Sequence, residues 1–270
     1  METVEIPIFL QCLFEFVGTF VMILLGCGVV ACTTLKKSKG EGSGWVVITL
    51  AWGLAVMCGV LIAGPYTGAH LNPAVTVGLA AAGKFDWGMV IPYIISQVLG
   101  AFLGGVAVYY FYKDHFDLTE GGDNKLGVFA TIPAVDNAKR NFLSEVIGTF
   151  VLILVILFMS EKGNTAEVGL GSIGAIPVAL LVVVIGMSLG GTTGYAINPE
   201  GERLPCPRRV QSLSPQRMAH HGEGSVFQRR LPRRRIDVSL YLQAFHVVAE
   251  CRDRGAHLAG ALLLRDGLGL

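Results

Sequence analysis

Two Asn-Pro dipeptides carry the clearest chemistry in this sequence. Asn72-Pro73 closes the stretch TGAHLNPA at residues 67–74, and Asn198-Pro199 closes TGYAINPE at residues 193–200. One Asn-Pro alone is a turn signal. Two, each at the end of a glycine-led apolar stretch, read as matching halves of one site. Proline fits the first turn of a helix, where a missing N–H costs nothing, so each Asn is expected at a helix N-terminus, which carries a partial positive charge. The Asn side-chain amide offers N–H donors. The irregular segments before them, Gly68-Ala69-His70-Leu71 and Gly194-Tyr195-Ala196-Ile197, offer backbone carbonyls with no helix partner. Donors on one side, carbonyl acceptors on the other and two positive helix ends suit a neutral, hydroxyl-bearing solute. They suit a cation or a proton poorly.

Two acids stand in apolar surroundings: Glu15 in Glu15-Phe-Val-Gly-Thr-Phe20 and Glu145 in Glu145-Val-Ile-Gly-Thr-Phe150. The two hexapeptides match each other, as the two Asn-Pro stretches do. A carboxylate at membrane depth is costly and is functional by default. It either braces neighbouring backbone or carries a proton. His70, two residues before Asn72, has the same two readings, a hydrogen bond that fixes the loop or a proton relay.

The elements that must hold these residues are apolar helices. Phe16–Thr34 is free of charge, and so are Trp87–Tyr112 and, apart from Glu145, Asn141–Ser160. Each is long enough for one crossing of a roughly 30 Å hydrocarbon core. Gly42–Gly83 and Val168–Pro199 are too long for one crossing. A span over Gly44–Ala63 leaves residues 64–83, interrupted by Pro65, Gly68 and Pro73 and ending in a short apolar helix. A short helix with an irregular start reads as a re-entrant half-helix, because irregular backbone at that depth must be buried or line a wet cavity. The second long run ends the same way at residues 190–199. Three spans in the first repeat put the second repeat into the membrane upside down. This is the inverted repeat with paired broken helices that marks a midplane substrate site. The fold class expected is all-α and polytopic, with a channel unit over residues 1–199: repeat one at 1–112, a loop at 113–140 and repeat two at 141–199.

Composition agrees. The 270 residues are 52% hydrophobic and 15% charged, against about 25% charged in a soluble domain, and the mean hydropathy is +0.58. A net charge of +1 disfavours a nucleic-acid partner. The six cysteines show no zinc spacing, and no metal or other cofactor is implied. No nucleophile–base pair or phosphate loop is present, so an enzyme is not expected. The start of the chain lacks the basic region of a cleavable signal peptide. The loops opposite the N-terminus hold more Lys, so the positive-inside rule places the N-terminus outside.

Residues 1 to about 199 resemble the major intrinsic proteins, the aquaporins and glycerol facilitators, on the Glu-containing first helix, TGAHLNPAVT and TGYAINP. The loop at 113–140 is closer to the glycerol branch. The resemblance implies a passive channel in the cell membrane for glycerol and other small neutral solutes such as water, assembled as a homotetramer. It implies that Asn72 and Asn198 orient the solute and that Glu15 and Glu145 brace the re-entrant loops. It also implies a constriction formed by Trp52, Tyr195 and Gly186, the last a small residue that makes room for the aromatic. A proton-coupled transporter shares the inverted repeat and is the rival reading.

The pattern breaks after residue 199. The family text continues Ala-Arg-Asp; here it reads Glu200-Gly201-Glu202-Arg203, so Gly201 stands where the selectivity arginine is expected. Arg203 lies about 200° further round a helix and is no substitute. No uncharged apolar run of 18 residues follows, so the second half-helix and sixth span are expected to be lost. All twelve basic residues beyond 199 are Arg, whereas eight of the nine before it are Lys. This switch reads as an out-of-frame tail over residues 200–270, with a basic disordered arm as the alternative. A non-functional truncated channel is therefore a further reading.

Overall fold

The computed structural model describes residues 6–159 and 171–199. The expected loss of a second half-helix and sixth span, and the roles of Glu200, Gly201 and Arg203, concern residues outside that set. The elements are α1 (Ile8–Thr34), α2 (Trp45–Thr67), α3 (Pro73–Ala81), α4 (Trp87–Phe111), α5 (Lys113–Leu118), α6 (Gly122–Leu126), α7 (Ala138–Met159), a 3-10 turn (Gly171–Ala175) and α8 (Ile176–Leu189). Among the described residues every regular element is helical. Helices α1, α2, α4 and α7 are each long and apolar enough to cross a membrane, and the chain is a multi-pass membrane protein.

Lipid supplies no hydrophobic drive between helices, so small residues set how closely they approach. Helix α1 packs on both α2 and α4, and α2 packs on α8. On α4, Gly100 sits against the Phe16 carbonyl, and a Cβ at Gly104 would stand 2.8 Å from the Phe20 carbonyl. Gly53 of α2 meets Val183 and the Ala179 carbonyl of α8 in the same way. The outward faces keep Ile91, Ile95, Val98, Leu99 and Phe102 of α4 exposed, as lipid contact requires. Helices α7 and α8 also pack together, less extensively than α1 and α2.

Three boundaries differ from the sequence reading. Helix α2 does not stop before Pro65 but runs through it to Thr67, where Gly68 in the left-handed conformation ends it. Pro65 deletes one bond in the last turn only, and the bond from the Gly68 N–H to the Gly64 carbonyl closes that turn. The segment at 113–140 is not a plain loop: it holds α5 and α6, and α7 already begins at Ala138. The run Val168–Pro199 gives no single long helix. Its 14-residue α8 rises about 21 Å. The 3-10 turn before it adds about 10 Å, and together they approach the thickness of the bilayer core.

Candidate functional site

The site is built from two loops, residues 68–72 and 194–198, that meet inside the helix bundle. Both follow one backbone pattern. Gly68, Ala69 and Leu71 have φ of 78°, 52° and 52°, and Gly194, Tyr195 and Ile197 have φ of 93°, 44° and 35°. Left-handed backbone at a non-glycine residue costs about 1–2 kcal/mol, and more for a β-branched one such as Ile197. Two carboxylates offset this. Glu15, fully buried, accepts from the His70 N–H (3.0 Å), the Leu71 N–H (2.8 Å), the Thr67 hydroxyl (2.6 Å) and Gln97 Nε2 (2.8 Å). Glu145 accepts from the N–H groups of Ala196 (3.3 Å) and Ile197 (3.2 Å). A hydrogen bond to an ionised acceptor contributes about 1.5–3 kcal/mol, comparable with the conformational cost at each strained residue.

Side chains fix the loops from the other flank. Leu71 lies in a notch between α1 and α2, where a Cβ on Gly18 or Gly59 would stand 2.8 or 2.6 Å from its methyl carbons. Ile197 meets Gly148 of α7 at 3.2 Å by the same measure. His70 Nδ1 and the Thr76 hydroxyl are 3.1 Å apart, and Gln97 Nε2 donates to that hydroxyl at 3.0 Å. Tyr93 and Phe85 pack on the His70 ring.

Asn72 and Asn198 cross-link the two loops. Asn72 Nδ2 donates to the Ile197 carbonyl at 2.8 Å, and Asn198 Nδ2 donates to the Leu71 carbonyl at 3.1 Å. Asn72 Oδ1 accepts from the Ala74 N–H at 2.8 Å and so caps α3, with Pro73 in its first turn. The expectation that every carbonyl of these loops is unpaired therefore needs correction at Leu71 and Ile197, which the Asn amides engage. The Ala196 carbonyl is also taken, by the Asn198 N–H. The carbonyls of Gly68, Ala69 and His70 have no partner among the described residues, and Asn72 keeps a second N–H.

Tyr195 sits on the side opposite the N-terminus. A Cβ on Gly186 would stand 2.7 Å from its Cζ, and Gly190 faces the same ring. Trp45 packs edge-on against it, with ring centroids 5.7 Å apart. The Tyr195 hydroxyl is buried with no hydrogen-bond partner among the described residues. Trp52 is half-buried and lies against Gly26 of α1; it makes no ring contact with Tyr195. Sequence reasoning missed Thr67, Thr76, Gln97 and Trp45. Gln97 is a polar residue inside an apolar span, a signal that was available; the other three looked like ordinary helix residues.

The family profile described as MIP, major intrinsic protein, matches residues 2–203. The chain belongs to the major intrinsic protein family. Among its relatives, glycerol uptake facilitator protein 3 of Lactiplantibacillus plantarum is 50% identical over 199 residues, 74% of this chain and 81% of the relative. A probable glycerol uptake facilitator protein of Thermotoga maritima is 51% identical over 201 residues, 74% of this chain and 83% of that one. The X-ray structure of the aquaglyceroporin from Plasmodium falciparum superposes with a TM-score of 0.65 at 32% identity, covering 73% of this chain and 78% of that one.

Proposed function

We propose that this chain is a passive, non-enzymatic channel for glycerol and other small neutral solutes. The reading rests on one observation above the rest: Asn72 and Asn198 are tied to each other's loops, next to carbonyls of Gly68, Ala69 and His70 that have no partner among the described residues. A hydroxyl group donates to a carbonyl and accepts from an Asn N–H in turn, so a polyol exchanges its water shell for these groups at little net cost. The α3 N-terminus behind Asn72 opposes cations and protons. The glycerol facilitator relatives support glycerol as the substrate.

Within this reading Asn72 and Asn198 orient the solute, Gly68, Ala69 and His70 supply the acceptor track, Leu71 and Ala196 hold the loops through carbonyls that Asn198 engages, and Trp52, Gly186 and Tyr195 form the constriction. Glu15 and Glu145 act as braces rather than proton carriers, since both are occupied as acceptors of loop N–H groups. Residues 1–199 form the channel unit, which assembles in the lipid bilayer as a homotetramer through the exposed apolar helix faces. In this reading the basic residues of 200–270, twelve Arg and no Lys, reflect a different reading frame; resequencing the locus tests this, and absence of an Ala-Arg-Asp text in another frame overturns it.

The test is stopped-flow light scattering on vesicles carrying the full chain. Glycerol uptake faster than in empty vesicles, independent of any pH gradient and lost in Asn72→Asp, is expected. No flux from protein shown to be inserted, or flux that follows a pH gradient, overturns the channel reading.

A further inference from the structure

Trp45 opens α2, seven residues before Trp52, and is 40% exposed. A tryptophan there would serve well enough as an anchor at the membrane surface. Its contacts go further than that. The indole Nε1 donates to the Gly186 carbonyl of α8 at 3.0 Å. That carbonyl also receives the Gly190 N–H at 3.2 Å, so it accepts two bonds at the end of the helix. The indole ring stands edge-on to the Tyr195 ring, at an interplanar angle of 83°. Around it the backbone has been cleared: a Cβ on Gly190 would lie 2.8 Å from Trp45 Cζ2, and one on Gly186 would lie 2.7 Å from Tyr195 Cζ and 2.9 Å from Thr49 Cγ2.

Tyr195 needs such support. It is a non-glycine residue at φ 44°, and its buried hydroxyl has no partner among the described residues. Nothing in its own hydrogen bonding holds the ring. Packing holds it instead: an apolar cluster that includes Val182 and Ile185 of α8, and the slot made by Gly186, Gly190 and Trp45. Of these, Trp45 brings a side chain to the ring, and its indole is hydrogen-bonded to the slot's floor.

We propose that Trp45 is a positioning residue that fixes the Tyr195 ring and thereby sets the width of solute the channel admits. The inference rests on the channel reading above for its consequence, but not for its geometry. Trp45 stands against the Tyr195 ring within the slot, so removing the indole opens space into which the ring retreats. The passage then widens.

The experiment uses the full chain in vesicles and compares glycerol with erythritol, one carbon longer. The ratio of the two fluxes does not depend on how much protein inserts. In Trp45→Ala the erythritol-to-glycerol ratio is expected to rise roughly three- to tenfold, at or below what one methylene is worth in a fitted pocket. Trp45→Phe, which keeps a ring but loses the N–H, is expected to shift it less. Trp87→Phe, at a 57% exposed tryptophan of α4, is expected to leave it unchanged. A ratio that stays constant or falls in Trp45→Ala overturns the proposal. A second reading needs no flux at all: 3-fluorotyrosine at position 195 is followed by fluorine NMR. Its resonance is expected to move or broaden in Trp45→Phe and not in Trp87→Phe. An unmoved resonance overturns the positioning role even if the vesicles leak solute. A moved resonance in a chain that conducts nothing retires the channel reading and leaves the contact standing.

Discussion

At the scale of single residues, the two carboxylates and the two Asn amides of the site each hold loop backbone, so replacing one leaves its partners unmatched in an apolar interior. Asn72→Asp puts a carboxylate where an N–H faced the Ile197 carbonyl. A charge at membrane depth costs about 2.5–3.5 kcal/mol, so glycerol flux is expected to fall more than tenfold in the vesicle assay. Glu15→Gln keeps the shape but swaps one acceptor oxygen for a donor beside donors. About 1–3 kcal/mol per orphaned buried group is expected to appear as a lower melting temperature of the detergent-solubilised protein. Gly186→Ala places a methyl 2.7 Å from Tyr195 Cζ, and is expected to lower glycerol flux more than water flux. The Asn and Glu residues were legible in the sequence because a polar residue in an apolar run stands out. The pairing of Glu15 with its partner on α4 was not. Gln97 lies 82 residues away, and no local pattern links the two. The left-handed backbone at Leu71 and Ile197 was also invisible, since apolar side chains give no hint of positive φ.

At the scale of elements, the apolar runs located every long helix among the described residues, and their ends were set by chemistry that the runs do not contain. Helix α2 outran Pro65 because a proline in the last turn removes a single bond, and the Gly68 N–H still closes that turn on the Gly64 carbonyl. The crossing of α1 and α4 is set by Gly100 lying on the Phe16 carbonyl. Gly100→Leu leaves no room for the side chain. A loss of at least about 1–3 kcal/mol is expected, read as reduced yield of folded protein in detergent. The turn between α1 and α2 is held differently. Glu41 accepts from Lys36 Nζ at 2.7 Å and from the Lys37 N–H at 2.9 Å. The Lys36 hydrogen bond comes first in holding the carboxyl below its ordinary value near 4.5, and the same pair raises Lys36. A depressed carboxyl contributes its stability above the ordinary value and loses it as pH falls through the depressed one. The pair is fully exposed, so its contribution is small. Glycerol flux is therefore expected to stay flat from neutral pH to about pH 5, and a fall across that range would place a titrating group in the site itself.

At the scale of the whole molecule, two repeats of one plan face each other. Glu15 serves Leu71 as Glu145 serves Ile197, and Asn72 reaches into one loop as Asn198 reaches into the other. The paired hexapeptides and Asn-Pro stretches made this symmetry readable before any coordinates. The reciprocal bonds could not be read, because they join residues 125 and 127 positions apart. Those bonds have a consequence for synthesis. The first loop enters the membrane with its Asn72 amide and Leu71 carbonyl unmatched, and their partners do not yet exist. A ribosome adding about 5–20 residues per second needs on the order of 6–25 s to deliver Ile197. Through that interval the first repeat must keep polar backbone away from lipid by other means, with water or the insertion machinery standing in for its missing half. A pause anywhere between α4 and α8 would lengthen that exposure.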